Sequence, residues 1–537
     1  MDASIPLRPA LGAPAAGGGA RNPAARALRA LERAFDFPFG PAANPLRQLG
    51  AAAFWFFWIV VVSGVYLYIF FDTSVSGAYR SVESLTRDQW YAGGVMRSLH
   101  RYASDAFLVV TVLHLLRELA YGRFRGFRWF SWVSGVPTLV FMLASGIVGY
   151  WLVWDAVAQF VGVGVTEWVG WLPGFGPELV RNFIAAEAMT DRFFSLLVFI
   201  HLGVPLFLLA AMWIHIQRIS RPRTQPAGAL AWGSLAALVA LSLARPALSD
   251  APADLARVPA AVALDWFYLF PLPAMYAASA ATVWSALGAA LALLCALPWL
   301  ARAPRAPVAQ VSAANCNGCA RCFADCPYAA VVMRAHPDGR PGKRIAVVLD
   351  DLCASCGICA GACPSSTPFR SGEALVTGID MPQLPVEAMR ARLERALADG
   401  KTLIVFGCES GAGLDALRGP DVAAWRFPCV AQVPPSFVDY ALRAGAHGVL
   451  VARCPEHDCE FRLGSRWAAA RLAGTREPHL RASVPRARVR IIEAAAEDAA
   501  ALAHAAAGFR AELARLGPAA PRGRVKRRAS ASEEVSR

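Results

Sequence analysis

Between residues 50 and 300 the chain carries six apolar runs, at 51–71, 98–118, 132–154, 193–217, 228–245 and 273–300. Each comes close to the roughly 20 residues a helix needs to cross a bilayer. No other feature constrains the fold as much, because in hydrocarbon every backbone N–H and C=O must be satisfied within its own segment, which a helix achieves. The first half of the chain is therefore expected to be an all-α transmembrane bundle of six helices. Composition agrees: 56% of the 537 residues are hydrophobic and only 17% are charged, too apolar for an ordinary soluble enzyme of this size.

The formal charge of +14 comes almost wholly from arginine. These arginines sit in short loops between the apolar runs and in a tail around Arg522–Arg528, a pattern that speaks against nucleic acid as a partner. With the N-terminus placed in the cytoplasm, the inside loops carry 15 arginines and the longer outside segments 7. The positive-inside rule then puts both termini and the cysteine-rich half in the cytoplasm, and the chain is expected to be a multi-pass protein of a bacterial cytoplasmic membrane. Residues 1–49, rich in Ala, Gly, Pro and Arg, contain no apolar signal stretch and are expected to stay inside as well. The outer segment from Trp154 to Asp191 reads as interfacial helix and turn.

The second run carries His100 and His114, and the fourth carries His201 and His215, so both have the spacing His-x13-His. Fourteen residues advance a helix by about 21 Å and return it to within about 40° of the same face. Two such helices running in the same direction would pair His100 with His201 toward the outside and His114 with His215 toward the inside, as ligands of two stacked haems. A lone intramembrane histidine more often bonds a neighbouring helix; four at one repeated spacing point to haem. Gly50 and Gly64, then Gly135 and Gly149, repeat the fourteen-residue step in the first and third runs. A porphyrin between helices needs backbone free of side chains at its height, although each glycine singly could serve helix packing. Arg97 and Arg101 flank His100 and could hold haem propionates or snorkel to the interface. Residues 50–225 are thus expected to form a di-haem four-helix bundle, and 226–300 two further transmembrane helices with an outer-face loop.

Over roughly residues 40–300 the sequence resembles the cytochrome b of quinol-oxidising bc and bf complexes. The most specific stretches are Arg97-Ser-Leu-His100-Arg101, Gly149-Tyr-Trp-Leu-Val-Trp154-Asp155, Arg192-Phe-Phe-Ser and His201-x3-Pro205-x9-His215. The resemblance implies two b haems, the low-potential one at the outer pair and the high-potential one at the inner pair, and a homodimer. It also implies an outer quinone site between the fifth and sixth helices, where the family's Pro-Glu-Trp-Tyr is replaced by Leu264-Asp265-Trp266-Phe267. Asp265 and Trp266 are the candidate catalytic residues there; the plainer alternative is a solvated acid beside an interfacial aromatic. No Cys precedes Cys295 and no Cys-x-x-Cys-His occurs, so a covalently attached haem has no anchor.

Twelve of the thirteen cysteines lie between Cys316 and Cys459. In the expected 308–370 module, Cys316, Cys319, Cys322 and Cys326 are followed by Cys353, Cys356, Cys359 and Cys363, each run reading Cys-x2-Cys-x2-Cys-x3-Cys-Pro. This spacing holds two [4Fe-4S] clusters with exchanged fourth ligands. One set is Cys316, Cys319, Cys322 and Cys363; the other is Cys353, Cys356, Cys359 and Cys326. Zinc is the competing reading of Cys-x2-Cys pairs, and the doubled Cys-Pro endings disfavour it. The module resembles bacterial two-cluster ferredoxins, an α+β fold, with a hairpin expected to turn at Asp338-Gly339.

Residues 400–475 alternate β-branched runs with helical stretches, as a small α/β domain does. They carry Cys408, Cys429, Cys454 and Cys459, which read either as ligands of a third centre or as free thiols at strand ends. Val405-Phe-Gly-Cys408-Glu-Ser, Phe427-Pro-Cys429-Val and Cys454-Pro-Glu-His-Asp-Cys459 resemble the delta-type iron–sulfur subunit of methyl-viologen-reducing hydrogenases, which links hydrogenase to heterodisulfide reductase. The resemblance implies a [2Fe-2S] cluster and a cytoplasmic flavoprotein or heterodisulfide-reductase-like partner. Gly411 stands where that family has a further cysteine, which leaves the cluster type open. Residues 476–537 are expected to add a strand, an Ala-rich helix and a basic disordered tail. Taken together, the sequence is that of a multi-domain electron carrier between the quinone pool and a soluble redox partner. Its rivals are a membrane anchor and assembly subunit without a working quinone site, and a cytoplasmic redox sensor.

Overall fold

The computed structural model describes residues 22–176, 189–259, 261–300, 306–339, 341–369, 375–417 and 419–517. Expectations for residues 1–21, for 177–188 of the long outer segment and for the basic tail beyond 517 lie outside the described residues. The chain divides into two compact units, residues 18–302 and the residues from 303 onward.

In the first unit, helix α1 (Pro23–Ala43) starts with Asn22 as N-cap and Pro23 at its first position and is kinked at Gly40. Then come α2 (Leu49–Phe70), α3 (Ala78–Arg87), α4 (Val95–Ala120), α5 (Trp129–Trp151), α6 (Ala156–Gly170), α7 (Asp191–Ile216), α8 (Gly228–Ala244), α9 (Pro271–Ala277) and α10 (Ala280–Leu300). Five of the six expected runs each lie largely in one helix, and the sixth is split between two. Among the described residues α2, α5 with its short leading turn, α7 and α10 are long and apolar enough to cross a membrane, while α8 has 17 residues. Helix α4 has 26 residues but carries Arg97, Arg101, Asp105, Arg117 and Glu118. The sixth run is broken at Ala278–Ser279, which separates the short α9 from α10. The outer segment does begin with a helix, α6, whose first turn Asp155 caps by accepting from Ala158 N–H at 2.9 Å.

The core pairs α2 with α4 and α5 with α7. Phe56, Phe57, Leu99, Ala103, Phe107, Met142, Phe194, Leu197, Leu208 and Met212 are buried between them. Pro205 lies inside α7. It lacks the N–H that would bond the His201 carbonyl, which an apolar helix tolerates where neighbours pack against it. At the other end of α4, Glu32 of α1 is buried and receives Arg117 Nε at 2.8 Å and the Tyr121 hydroxyl at 2.9 Å. A carboxylate so enclosed is held by its paired guanidinium.

In the second unit, β1 (Gln310–Val311), α11 (Arg321–Ala324), β2 (Val331–Ala335), β3 (Arg344–Val348), α12 (Ile358–Ala362) and β4 (Ile379–Asp380) make the cysteine-rich module. Strands β2 and β3 pair antiparallel from Val331↔Val348 to Ala335↔Arg344. The expected hairpin forms, with Gly339 left-handed at φ +70 in its connection. Helix α13 (Val386–Ala398) leads into β5 (Leu403–Cys408), β6 (Val422–Phe427), α14 (Pro435–Arg443), β7 (Gly448–Arg453), α15 (Gly464–Ala473), β8 (Val489–Glu493) and α16 (Ala499–Leu516). The four strands are parallel in the order β6-β5-β7-β8. Strand β8 and helix α16, both beyond residue 475, complete this sheet and its core. Leu502, Ala506, Phe509 and Leu513 of α16 pack on Leu403, Val405 and Leu450.

Candidate functional site

The four intramembrane histidines stand two and two. His100 of α4 faces His201 of α7 with ring centroids 6.3 Å apart, and His114 faces His215 at 6.5 Å. Two imidazoles on opposite sides of one iron should stand about 6.4 Å apart, from about 2 Å per metal–nitrogen bond and about 1.2 Å from each nitrogen to its ring centre. The donors therefore fit bis-histidine haem.

The neighbouring hydrogen bonds point the same way. His100 Nδ1 lies 3.0 Å from the Val60 carbonyl and His201 Nδ1 lies 3.2 Å from the Ser145 carbonyl. A carbonyl only accepts, so in both rings Nδ1 carries the proton and Nε2 is left with a lone pair for metal. Ser63 Oγ at 3.2 Å from His100 Nδ1 and Ser134 Oγ at 3.3 Å from His215 Nδ1 add further contacts.

All four glycines lie against these rings. A Cβ on Gly64 would come within 2.9 Å of His100, on Gly149 within 3.0 Å of His201, on Gly135 within 3.2 Å of His215 and on Gly50 within 3.5 Å of His114. The matching follows from antiparallel pairing: the later glycine of α2 meets the earlier histidine of α4, and the same holds for α5 with α7. Because both members of each pair step by fourteen residues, one helix–helix register serves both levels.

The two arginines beside His100 are engaged within the protein. Arg97 is buried and donates to Thr86 Oγ1 at 2.6 Å, to Ser249 Oγ at 2.8 Å and to Glu83 at 3.4 Å. Arg101 pairs with Asp105 and, at 2.8 Å, with Asp265. Asp265 is no solvated acid: its side chain is 8% exposed and also receives the Tyr150 hydroxyl. Trp266, by contrast, is 81% exposed. Tyr268 follows, its hydroxyl donating to the Ser104 carbonyl at 2.7 Å and its ring occupying the space beside Gly146. Tyr150, Asp105 and Tyr268 escaped the sequence reading, since nothing local marks a residue that meets Asp265 or α4 only after the helices pack.

In the second unit, Cys316, Cys319, Cys322 and Cys363 line one cavity together with Met333 and Ile379. Cys363 comes from the second cysteine run, as the exchanged pattern requires. Burial pushes the Cys322 thiol up to about 12, reinforced by the nearby Cys363, Cys319 and Cys316. Cys356 and Cys359 are shifted upward by burial too, with Cys326 and Cys353 close to both. Thiols so enclosed give up their protons to a metal far more readily than to water. Among the described residues no three His, Cys, Asp or Glu side chains close on a point as around one lone ion.

The last four cysteines gather at the carboxyl ends of parallel strands, where open α/β sheets place their sites. Cys408 ends β5, Cys429 lies two residues past β6 and Cys454 directly follows β7. Cys459 closes the set from the loop beyond. Their thiols interact with one another, Cys408 with Cys429 and Cys454, and Cys459 with the same two. All four are buried. Gly411 sits where a Cβ would come within 3.3 Å of the Ala494 carbonyl.

An apolar bundle with facing imidazoles, joined to a cysteine-rich module and a parallel sheet edged with thiols, defines a membrane electron-transfer protein. The chain belongs to the cytochrome b/b6 family through its N-terminal third. The family model for cytochrome b/b6/petB matches residues 35–222, the 4Fe-4S dicluster domain matches 315–367, and the delta subunit of methyl-viologen-reducing hydrogenase matches 403–517. Cytochrome b6 of Gracilaria tenuistipitata var. liui is 30% identical over 185 residues, which are 34% of this chain and 84% of that protein. Cytochrome b of Zymoseptoria tritici is 32% identical over 162 residues, 29% of this chain and 40% of the other. Cytochrome b of Rhodospirillum rubrum is 29% identical over 162 residues, again 29% of this chain and 39% of the other. The chain thus spans about two fifths of the cytochromes b it matches. A chain of a hyperthermophilic respiratory Complex III superposes at TM-score 0.39 and 21% identity, covering 48% of this chain and 75% of that one. Family membership implies haem b, and the dicluster domain implies [4Fe-4S].

Proposed function

We propose that the chain carries electrons between the quinone pool and a cytoplasmic redox protein, through two b haems and three iron–sulfur centres. His100 and His201 hold one haem, and His114 and His215 the other, with Gly64, Gly149, Gly50 and Gly135 keeping side chains out of their way. Haem and iron–sulfur groups supply the one-electron carriers; the chain's residues fix their places and exclude water from them. Quinone binds near Asp265 and Trp266, where Asp265 takes or relays a proton and Arg101 and Tyr150 orient its carboxylate. Both termini and the second unit lie on the cytoplasmic side, by the arginine distribution, and the membrane is a bacterial cytoplasmic membrane. Cys316, Cys319, Cys322 and Cys363 hold one [4Fe-4S] cluster; Cys326, Cys353, Cys356 and Cys359 hold the other. Cys408, Cys429, Cys454 and Cys459 hold a [2Fe-2S] centre that faces a flavoprotein or heterodisulfide-reductase-like partner. The working form is a homodimer.

The single observation behind this reading is the pair of facing imidazoles at haem spacing, 6.3 and 6.5 Å, repeated at two levels of the same two helices. Native membranes carrying the protein test it. They should contain two b haems per chain by pyridine haemochrome, and added quinol should reduce both; haem that stays oxidised under excess quinol would sink the reading. A second reading, an anchor subunit without a working quinone site, draws on Asp265 being already bonded by Arg101 and Tyr150. The same quinol experiment separates the two.

A further inference from the structure

Arg471 belongs to none of the donor sets, yet it is 1% exposed inside the soluble unit. Its guanidinium donates to Asp325 Oδ2 at 2.5 Å, to the Ala431 carbonyl at 3.0 Å and to the Ile358 carbonyl at 3.4 Å. Asp325 precedes Cys326, Ile358 precedes Cys359, and Ala431 lies two residues past Cys429. One side chain therefore bonds a carboxylate and a carbonyl beside two ligands of one cubane and a carbonyl near a ligand of the strand-end centre. Arg476 adds a second guanidinium to Asp325.

The packing around it is unusually close. A Cβ on Gly361 would come within 1.9 Å of the Ala431 carbonyl, and one on Gly357 within 2.7 Å of the Gln432 side chain. Helix α12, which bears Cys359, is thus pressed backbone to backbone on the turn after Cys429. A Cβ on Gly464 of α15 would meet Cys429 Sγ at 2.3 Å and Ile358 Cδ1 at 3.1 Å, so Gly464 lies against both Cys429 and the residue that precedes Cys359. Toward the other cubane, Cys359 and Cys326 are buried in one cluster with Cys322 and Cys363.

We propose that Arg471 is the positioning residue of an electron junction, which fixes the order of the relay as strand-end centre, then the Cys326/Cys353/Cys356/Cys359 cubane, then the Cys316/Cys319/Cys322/Cys363 cubane. The inference rests on the iron–sulfur part of the function proposed above and is independent of the haems and of quinone. At each step one centre loses one electron and the next gains it, with no bond made or broken. A buried cation beside both centres favours their reduced, more negative forms. Its fork also sets their separation, because planar bidentate donation is what lysine lacks.

The test uses the full chain in detergent, reduced with dithionite and followed by iron content and electron paramagnetic resonance. Magnetic interaction between the strand-end centre and a cubane should vanish in Cys356→Ser and persist in Cys319→Ser; the converse, or loss in neither, overturns the order. Arg471→Met should lower the midpoint potentials of both adjoining centres at unchanged iron content, with Asp325 still paired to Arg476. Arg471→Lys, the milder variant, should restore the potentials and leave the magnetic interaction weakened. Full iron with unaltered potentials and interaction in both variants would reduce Arg471 to a packing residue. A chain that holds the two cubanes but no third centre would overturn the junction together with the iron–sulfur part of the proposed function, whereas unreduced haem under quinol would leave the junction standing.

Discussion

Asp265 shows how much of a residue's chemistry lies outside its own stretch of chain. Its place beside Trp266 on the outer connection was legible from the sequence, but its partners were not: Arg101 and Tyr150 lie 164 and 115 residues away. Their meeting depends on how α4 and α5 pack. On the proposed reading Asp265, held by a cation and a hydroxyl, takes the quinol proton, and general acid–base help is worth roughly 10²–10⁴ in rate. Asp265→Asn keeps the shape and most of the hydrogen bonds. We expect quinol-driven haem reduction to slow by about 10² while the haem spectrum stays intact, measured by stopped-flow absorbance. Unchanged kinetics would leave the residue as no more than the counter-ion of Arg101.

At the scale of elements, the histidine and glycine spacing was readable because a helix has a fixed period. The pairing of each glycine with its histidine was not, since it needs the antiparallel register of α2 with α4 and of α5 with α7. Helix α1 was missed although its signals are local: Asn22 and Pro23 begin it, and Leu28, Leu31 and Phe35 recur at helical spacing. An Ala-, Gly- and Pro-rich composition hid them. Strand β8 and α16 were foreseen as elements but not as parts of the sheet and core, because a fourth parallel strand is chosen by tertiary pairing. The ladder of ligands yields a sharp expectation. One alanine inserted after Phe207, between His201 and His215, turns one half of α7 by about 100° relative to the other. The helix can then no longer present His201 and His215 to their partners at once, so pyridine haemochrome should fall from two haems to one per chain. Two retained haems would mean that α7 does not ligate at both levels.

For the molecule as a whole, the question is whether the second unit relays electrons or only decorates a cytochrome. The second unit holds two interleaved cysteine runs and four buried cysteines at the ends of parallel strands. On the proposed reading it hands electrons on to a partner. Which way they run depends on the partner and on the membrane potential, worth about 2.3 kcal/mol per charge per 100 mV. Either direction crosses the strand-end centre if that centre faces the partner. Cys454→Ser removes one thiolate from the set, and a serine oxygen is a poor replacement for soft metal–sulfur bonding. The variant should lose the spectrum of that centre and its electron exchange with the soluble partner, while quinol still reduces the haems at the native rate. Intact exchange with the centre gone would place it off the path, and the four cysteines would then be structural thiols. Loss of haem reduction as well would mean that quinol oxidation needs the soluble unit to accept electrons, a dependence that the cytochrome b part alone does not predict.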